Sequence, residues 1–156
     1  MNIIISNKYQ QLLSSLDIVS DNVLNGVYSV SEIVSKFGNG QFFNKMIIDV
    51  TALKNYENSE TLRGLSRNFE ASKIILLLDD SRKTNSREFL SNLVNMGIYN
   101  FTREVNNIPY LIDHPNSYAD VEQYQNFGGI NVNPFNDKSE EAVDSYLNGE
   151  MAQRCS

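Results

Sequence analysis

The chain has 156 residues, of which 41% are apolar and 21% charged, and a formal net charge of −6. That length and apolar share support a domain with a real core and exclude disorder throughout. The acidic balance argues against a nucleic-acid binder, which needs a basic face to neutralise phosphates, and no apolar run approaches the roughly 20 residues that span a bilayer.

The opening Met1-Asn2-Ile3-Ile4-Ile5-Ser6 lacks the basic n-region and small-residue cleavage site of a signal peptide, so Asn2–Ser6 reads as a first strand. Tyr9, Leu12, Leu13 and Leu16 recur at helical spacing and predict a helix over Lys8–Leu16. A weaker strand is expected over Ile18–Leu24. Ser29-Val30-Ser31-Glu32 is a capping-box pattern that opens a short helix through Lys36, with Gly38 beyond its end. Gly38-Asn39-Gly40 reads as a turn, because no G-x-G-x-x-G context wedges it between strand and helix.

Lys45–Thr51 is a continuous apolar strand, and Asn58 or Ser59 caps a helix carrying Leu62, Leu65 and Phe69. Lys73–Asp79 repeats the continuous-strand pattern. Ser86–Met96 sets Phe89, Leu90, Leu93 and Val94 on one helical stripe, with Gly97 at the C′ position. Ile98–Thr102 is a second weaker strand. Pro109 suits the first turn of a helix through Ile112, and a further short helix is expected over Ser117–Gln125. From Asn126 the chain turns rich in Gly, Asn and Pro, which is linker chemistry. The expected division is therefore a domain over 1–125 and a linker or flexible tail over 126–156. Ala142–Met151 would form helix only against a packing partner.

Continuous rather than alternating strands are covered on both faces, as in a parallel sheet. Strands that alternate with helices imply right-handed crossovers. The expected fold is α/β and flavodoxin-like, three layers with a five-stranded parallel sheet in the order 2-1-3-4-5.

Function in such sheets collects at the carboxyl ends of the strands. Those ends carry Ser6 and Asn7, then Asp49, then Asp79 and Asp80, then Thr102 and Arg103. Here the chain resembles the response-regulator receiver family, in which an acidic pair after strand one binds magnesium and an aspartate ending strand three accepts a phosphoryl group. A hydroxyl residue after strand four and a lysine after strand five complete that family's site. Asp49 in MIIDVTAL matches the phosphoacceptor, and Gly97–Glu104 (GIYNFTRE) resembles the strand-five segment, with Arg103 at the lysine position. Ser6-Asn7 replaces the acidic pair, which removes the hard oxygen ligands for Mg²⁺. Asp79 replaces the hydroxyl residue and would repel a phosphoryl group. Arg103 keeps the charge but changes the donor geometry. Arg103 is expected to form a fixed internal ion pair with Asp79, Asp49 or both.

Leu93–Thr102 (LVNMGIYNFT) and Tyr110–Val121 (YLIDHPNSYADV) resemble the N-terminal receiver-like domain of MinD/ParA-type ATPases, among them the TadZ/CpaE pilus-assembly proteins. That resemblance covers residues 1 to about 125. It implies a module for dimerisation, polar localisation or partner docking, joined to a P-loop ATPase domain. The chain itself has no G-x-x-x-x-G-K-[ST] phosphate loop.

The one histidine, His114, has no Cys or His cluster around it for metal chemistry. No G-x-S-x-G turn supports a nucleophilic triad. The lone Cys155 cannot make an internal bridge, so a cytoplasmic setting is the default. Arg82, Lys83 and Arg87, with Tyr99, Phe101 and Tyr110, form a possible docking patch. The expectation is a pseudo-receiver that is not an enzyme, needs no cofactor or metal, and binds a protein partner or itself, with no membrane insertion. Two other readings stand beside it. One is a phosphorylatable receiver with Asp49 as acceptor and Asp79 or Asp80 helping to hold the metal, and the other is a small-ligand sensor using the strand-end crevice.

Overall fold

The three continuous apolar segments over Asn2–Ser6, Lys45–Asp49 and Ile74–Leu77 can be buried on both faces only if helices cover the sheet they form. The computed structural model describes residues 1–38 and 40–125. Its strands are β1 (Asn2–Ser6), β2 (Asn22–Asn25), β3 (Lys45–Asp49), β4 (Ile74–Leu77) and β5 (Asn100–Thr102). They pair in parallel in the order β2-β1-β3-β4-β5. This is the flavodoxin-like order expected from the sequence. The chain divides into two units, Met1–Val121 and Glu122–Ser156, and the sheet belongs to the first. The expected linker and the helix over Ala142–Met151 lie outside the described residues.

The helices are α1 (Gln10–Ser14), α2 (Val30–Phe37), α3 (Ser59–Asn68), α4 (Arg87–Asn95), α5 (Ile108–Asp113) and α6 (Tyr118–Gln125). On one sheet face Ile4, Ile47, Ile75 and Leu77 pack with Leu13 of α1 and with Ile108 and Leu111 of α5. Their strand neighbours Ile3, Ile5, Met46, Ile48, Ile74 and Leu76 are buried on the opposite face. That face is the side of α2, α3 and α4, whose Ile33, Leu62, Leu65 and Leu93 are also buried.

Local chemistry sets most helix ends. Ser29 accepts from the Glu32 N–H while the Glu32 side chain accepts from the Ser29 N–H, so the expected capping box forms at α2. At the end of α4, Gly97 (φ +85°) donates to the Val94 carbonyl and Ile98 to the Leu93 carbonyl. This is the Schellman arrangement, and only glycine takes that backbone cheaply. It also explains why β5 starts at Asn100 rather than at Ile98: the Ile98 N–H is spent on closing the helix.

Two elements on the β2 side differ from expectation. The helix expected over Lys8–Leu16 shrinks to Gln10–Ser14, because Ser14 and Ser15 hydroxyls bond back to the Gln11 and Leu12 carbonyls and compete with helix propagation. The strand expected over Ile18–Leu24 shifts to Asn22–Asn25. Ile18 bonds back to Leu16, and pairing with β1 begins only where the Asp21 N–H reaches the Asn2 carbonyl. Ile47 is fully buried at the centre of the sheet. Ile47→Ala should therefore lose about 2–5 kcal/mol of stability in urea unfolding, the cost of a cavity that the strand cannot close.

Candidate functional site

Each strand delivers a polar residue to the carboxyl edge of the sheet. Asp49 ends β3 and is fully buried. Its Oδ2 accepts the backbone N–H groups of Asn7 at 3.0 Å and Tyr9 at 2.9 Å. Its Oδ1 accepts the Thr51 N–H at 2.9 Å and the Thr51 hydroxyl at 2.7 Å. Both carboxylate oxygens are thus occupied by the protein's own donors. The Asn7 side-chain amide bonds the Thr51 carbonyl, and the Lys8 N–H bonds the Thr51 hydroxyl. The loop after β1 is in this way folded down over the end of β3.

Ser6 does not join this knot. Its hydroxyl bonds the Asn25 side chain on β2 at 3.0 Å. Asp80 turns outward as well, 3.6 Å from the Lys8 ammonium in an exposed pair; solvent screens such a pair, so it adds little to stability.

Asp79 forms a second knot just beyond β4, and it too is buried. The Tyr56 hydroxyl donates to its Oδ2 at 2.7 Å. Its Oδ1 accepts the Ser81 N–H at 3.2 Å, the Ser81 hydroxyl at 2.7 Å and the Thr84 hydroxyl at 2.6 Å. Burial alone would push the Asp79 carboxyl up, but the bonds from Thr84, Tyr56 and Ser81 outweigh it and hold the carboxyl below its ordinary value. Burial, and then the bond to Asp79, pushes the Tyr56 phenol up to about 12.

Arg103 departs from expectation. Among the salt bridges of the described residues none joins Arg103 to Asp49 or Asp79. Its guanidinium donates instead to the Thr84 carbonyl at 2.7 Å. The physical reason is competition: each carboxylate is already filled by donors close by, so a long side chain gains little by displacing them. Thr84 is thereby held from two sides, its hydroxyl by Asp79 and its carbonyl by Arg103. Thr102 is used locally, its hydroxyl accepting the Glu104 N–H at 3.0 Å.

Asp49 and Asp79 therefore share an edge but not a site. Thr51, Tyr56, Ser81 and Thr84 complete the arrangement, and none of them was expected. Two of them carry a local signal, since Asp49-Val50-Thr51 and Asp79-Asp80-Ser81 are the same Asp-x-Thr/Ser pattern, in which a carboxylate bonds the N–H and hydroxyl two residues on. Tyr56 carries no such signal. Among the described residues no three His, Cys, Asp or Glu side chains gather as a cation site.

Of the expected docking patch, Arg82, Lys83 and Arg87 are exposed in the loop before α4 and at its first turn, and Tyr99 and Phe101 are half-buried. Tyr110 is exposed and stacks on His114 with ring centroids 4.4 Å apart. Comparison of the chain with protein families, with curated proteins and with solved structures gives no match.

Removing the Asp49 carboxylate leaves three backbone N–H groups and a hydroxyl without their acceptor. Asp49→Ala should cost more than about 3 kcal/mol of folding stability, since each bond to a charged group contributes about 1.5–3 kcal/mol. The lowered Asp79 carboxyl sets a sign for pH. Its contribution is present above the unfolded carboxyl value of about 3.9 and is lost as pH falls through the lower folded value. The stability gap between wild type and Asp79→Asn should accordingly narrow below about pH 4. Parallel stability curves for the two proteins would rule this out.

Proposed function

We propose that this chain is a non-catalytic, receiver-like module that acts by binding a protein surface rather than by accepting a phosphoryl group. One observation carries the reading: the residue at the phosphoacceptor position, Asp49, is fully buried and both its oxygens are bonded to the loop after β1 and to Thr51. A nucleophilic oxygen must be free to approach phosphorus. Here the approach of either oxygen requires breaking about two charge-assisted bonds first.

The rest of the edge supports the same reading. Asp79 ties down the loop before α4 with its own carboxylate, so that loop is held without any added charge. A small-ligand crevice at the strand ends gains nothing from this packing, because the polar groups that would line it are turned on one another. The context suggested by the receiver-like resemblance belongs to the same proposal: a cytoplasmic partner or fused domain of MinD/ParA type, whose localisation or assembly the module regulates.

Intact-mass measurement after incubation with acetyl phosphate and Mg²⁺ tests the reading. The expected result is no gain in mass. A stoichiometric gain of one phosphoryl group, abolished in Asp49→Asn, would overturn it and establish a working receiver.

A further inference from the structure

Asparagine followed by glycine is unusually open to spontaneous deamidation, because glycine has no Cβ to shield the asparagine side chain from the next backbone nitrogen. The sequence holds three such pairs, Asn25-Gly26, Asn39-Gly40 and Asn148-Gly149. Asn39 and Asn148 lie outside the described residues. Asn25 is the last residue of β2, and both reacting groups of its pair are held there by bonds.

The nucleophile of the reaction is the Gly26 nitrogen. Its N–H donates to the Ser6 carbonyl at 2.9 Å, a bond that retains the proton the reaction must remove. The electrophile is the Asn25 side-chain carbonyl. Its Oδ1 accepts the hydroxyl of Ser6, itself buried, at 3.0 Å. A third bond runs from the Tyr28 hydroxyl to the Asn25 backbone carbonyl at 3.0 Å. The reactive dipeptide is also built into the fold. Gly26 has φ +132°, a backbone that only glycine takes cheaply.

We propose that Asn25-Gly26 is a latent deamidation site, latched shut by Ser6 and Tyr28 and released when the carboxyl end of β2 opens. In the open state the Gly26 nitrogen gives its proton to solvent base and attacks Asn25 Cγ. The new N–Cγ bond closes a succinimide, while the side-chain nitrogen takes up a proton and leaves as ammonia. Water then opens the ring at one of its two carbonyls, which leaves aspartate or isoaspartate at position 25.

The position of the site gives the change its reach. An aspartate carboxylate can still accept from Ser6. Isoaspartate routes the main chain through the side-chain carbon, and the added methylene takes the Gly26 N–H out of register with the Ser6 carbonyl. Gly26 leads into Tyr28, whose backbone bonds Ala52 and Lys54 in the turn after β3. Deamidation is thus a one-way release of the loop before α2. Strand-end opening is fast beside this slow covalent step, so the rate follows the population of the open state. The inference stands apart from the interaction-module reading, and neither depends on the other.

Ageing the full chain in mildly alkaline buffer, with and without urea, tests the latch. Trypsin places the three asparagines on separate peptides, and mass spectrometry reads the conversion of each. In urea the three should convert at comparable rates. In native buffer Asn25 should slow by roughly tenfold or more, since opening must break several bonds first. Ser6→Ala should speed the native conversion of Asn25 about two- to tenfold, the weight of one ordinary hydrogen bond, and change nothing in urea. Tyr28→Phe removes only a surface bond and should act in the same direction, so it carries the test if Ser6→Ala disturbs the fold. The isoaspartate fraction should lose hydrogen-exchange protection at the Tyr28 and Lys54 amides. Equal rates at Asn25 in native buffer and in urea overturn the latch. A wild-type rate in a folded variant removes that residue from the latch, and a wild-type rate in both overturns it. Unchanged protection in the isoaspartate fraction overturns the release of the loop.

Discussion

Burying a carboxylate is among the costlier things a small domain does, since desolvation alone amounts to several kcal/mol per ion. Asp49 sits at full burial, and the molecule meets that cost with three backbone N–H groups and one hydroxyl. Those donors come from two places, the loop after β1 and the turn after β3. The bonds that stabilise the charge are consequently the bonds that hold the carboxyl edge shut. The loop before α2 is drawn in by the same turn, through paired bonds between Tyr28 and the backbone of Ala52 and Lys54. One buried charge thus fixes the conformation of three loops at once.

Asp79 repeats the device one strand further along. It too is followed two residues later by a hydroxyl residue that donates through both its N–H and its side chain. It adds Tyr56 from the segment before α3 and Thr84 from the loop before α4. A catalytic carboxylate keeps one oxygen free for substrate or metal, whereas these two spend every oxygen on the fold. The polar groups are of the right type for chemistry and in the right place, but they satisfy each other.

Much of this was legible in the sequence. The continuous apolar strands, the capping box at Ser29 and the glycine at position 97 each state a local physical requirement, and five such strands fit the flavodoxin-like order. Asp49 and Asp79 were visible as strand-end carboxylates. Their partners were not, because a backbone N–H donor leaves no mark on residue identity. Arg103 shows the same limit from the other side. Charge alone suggested an ion pair, but the donors already packed around each carboxylate decide the contest, and they come from loops whose geometry no periodicity encodes. The shortened α1 is a subtler case: Leu12, Leu13 and Leu16 keep helical spacing, yet Ser14 and Ser15 spend their hydroxyls on the helix carbonyls and end it.

That early end has a consequence at the opposite side of the molecule from β5. With α1 stopping at Ser14, Val23 of β2 is exposed, while the carboxyl edge is closed by its own charges. Natural sheets seldom leave an uncharged edge beside exposed valines, because such an edge pairs with whatever strand it meets. Edges of that kind recognise strands through repeated main-chain bonds, with side-chain spacing setting the register. In this chain the strand-end carboxylates are filled by local bonds.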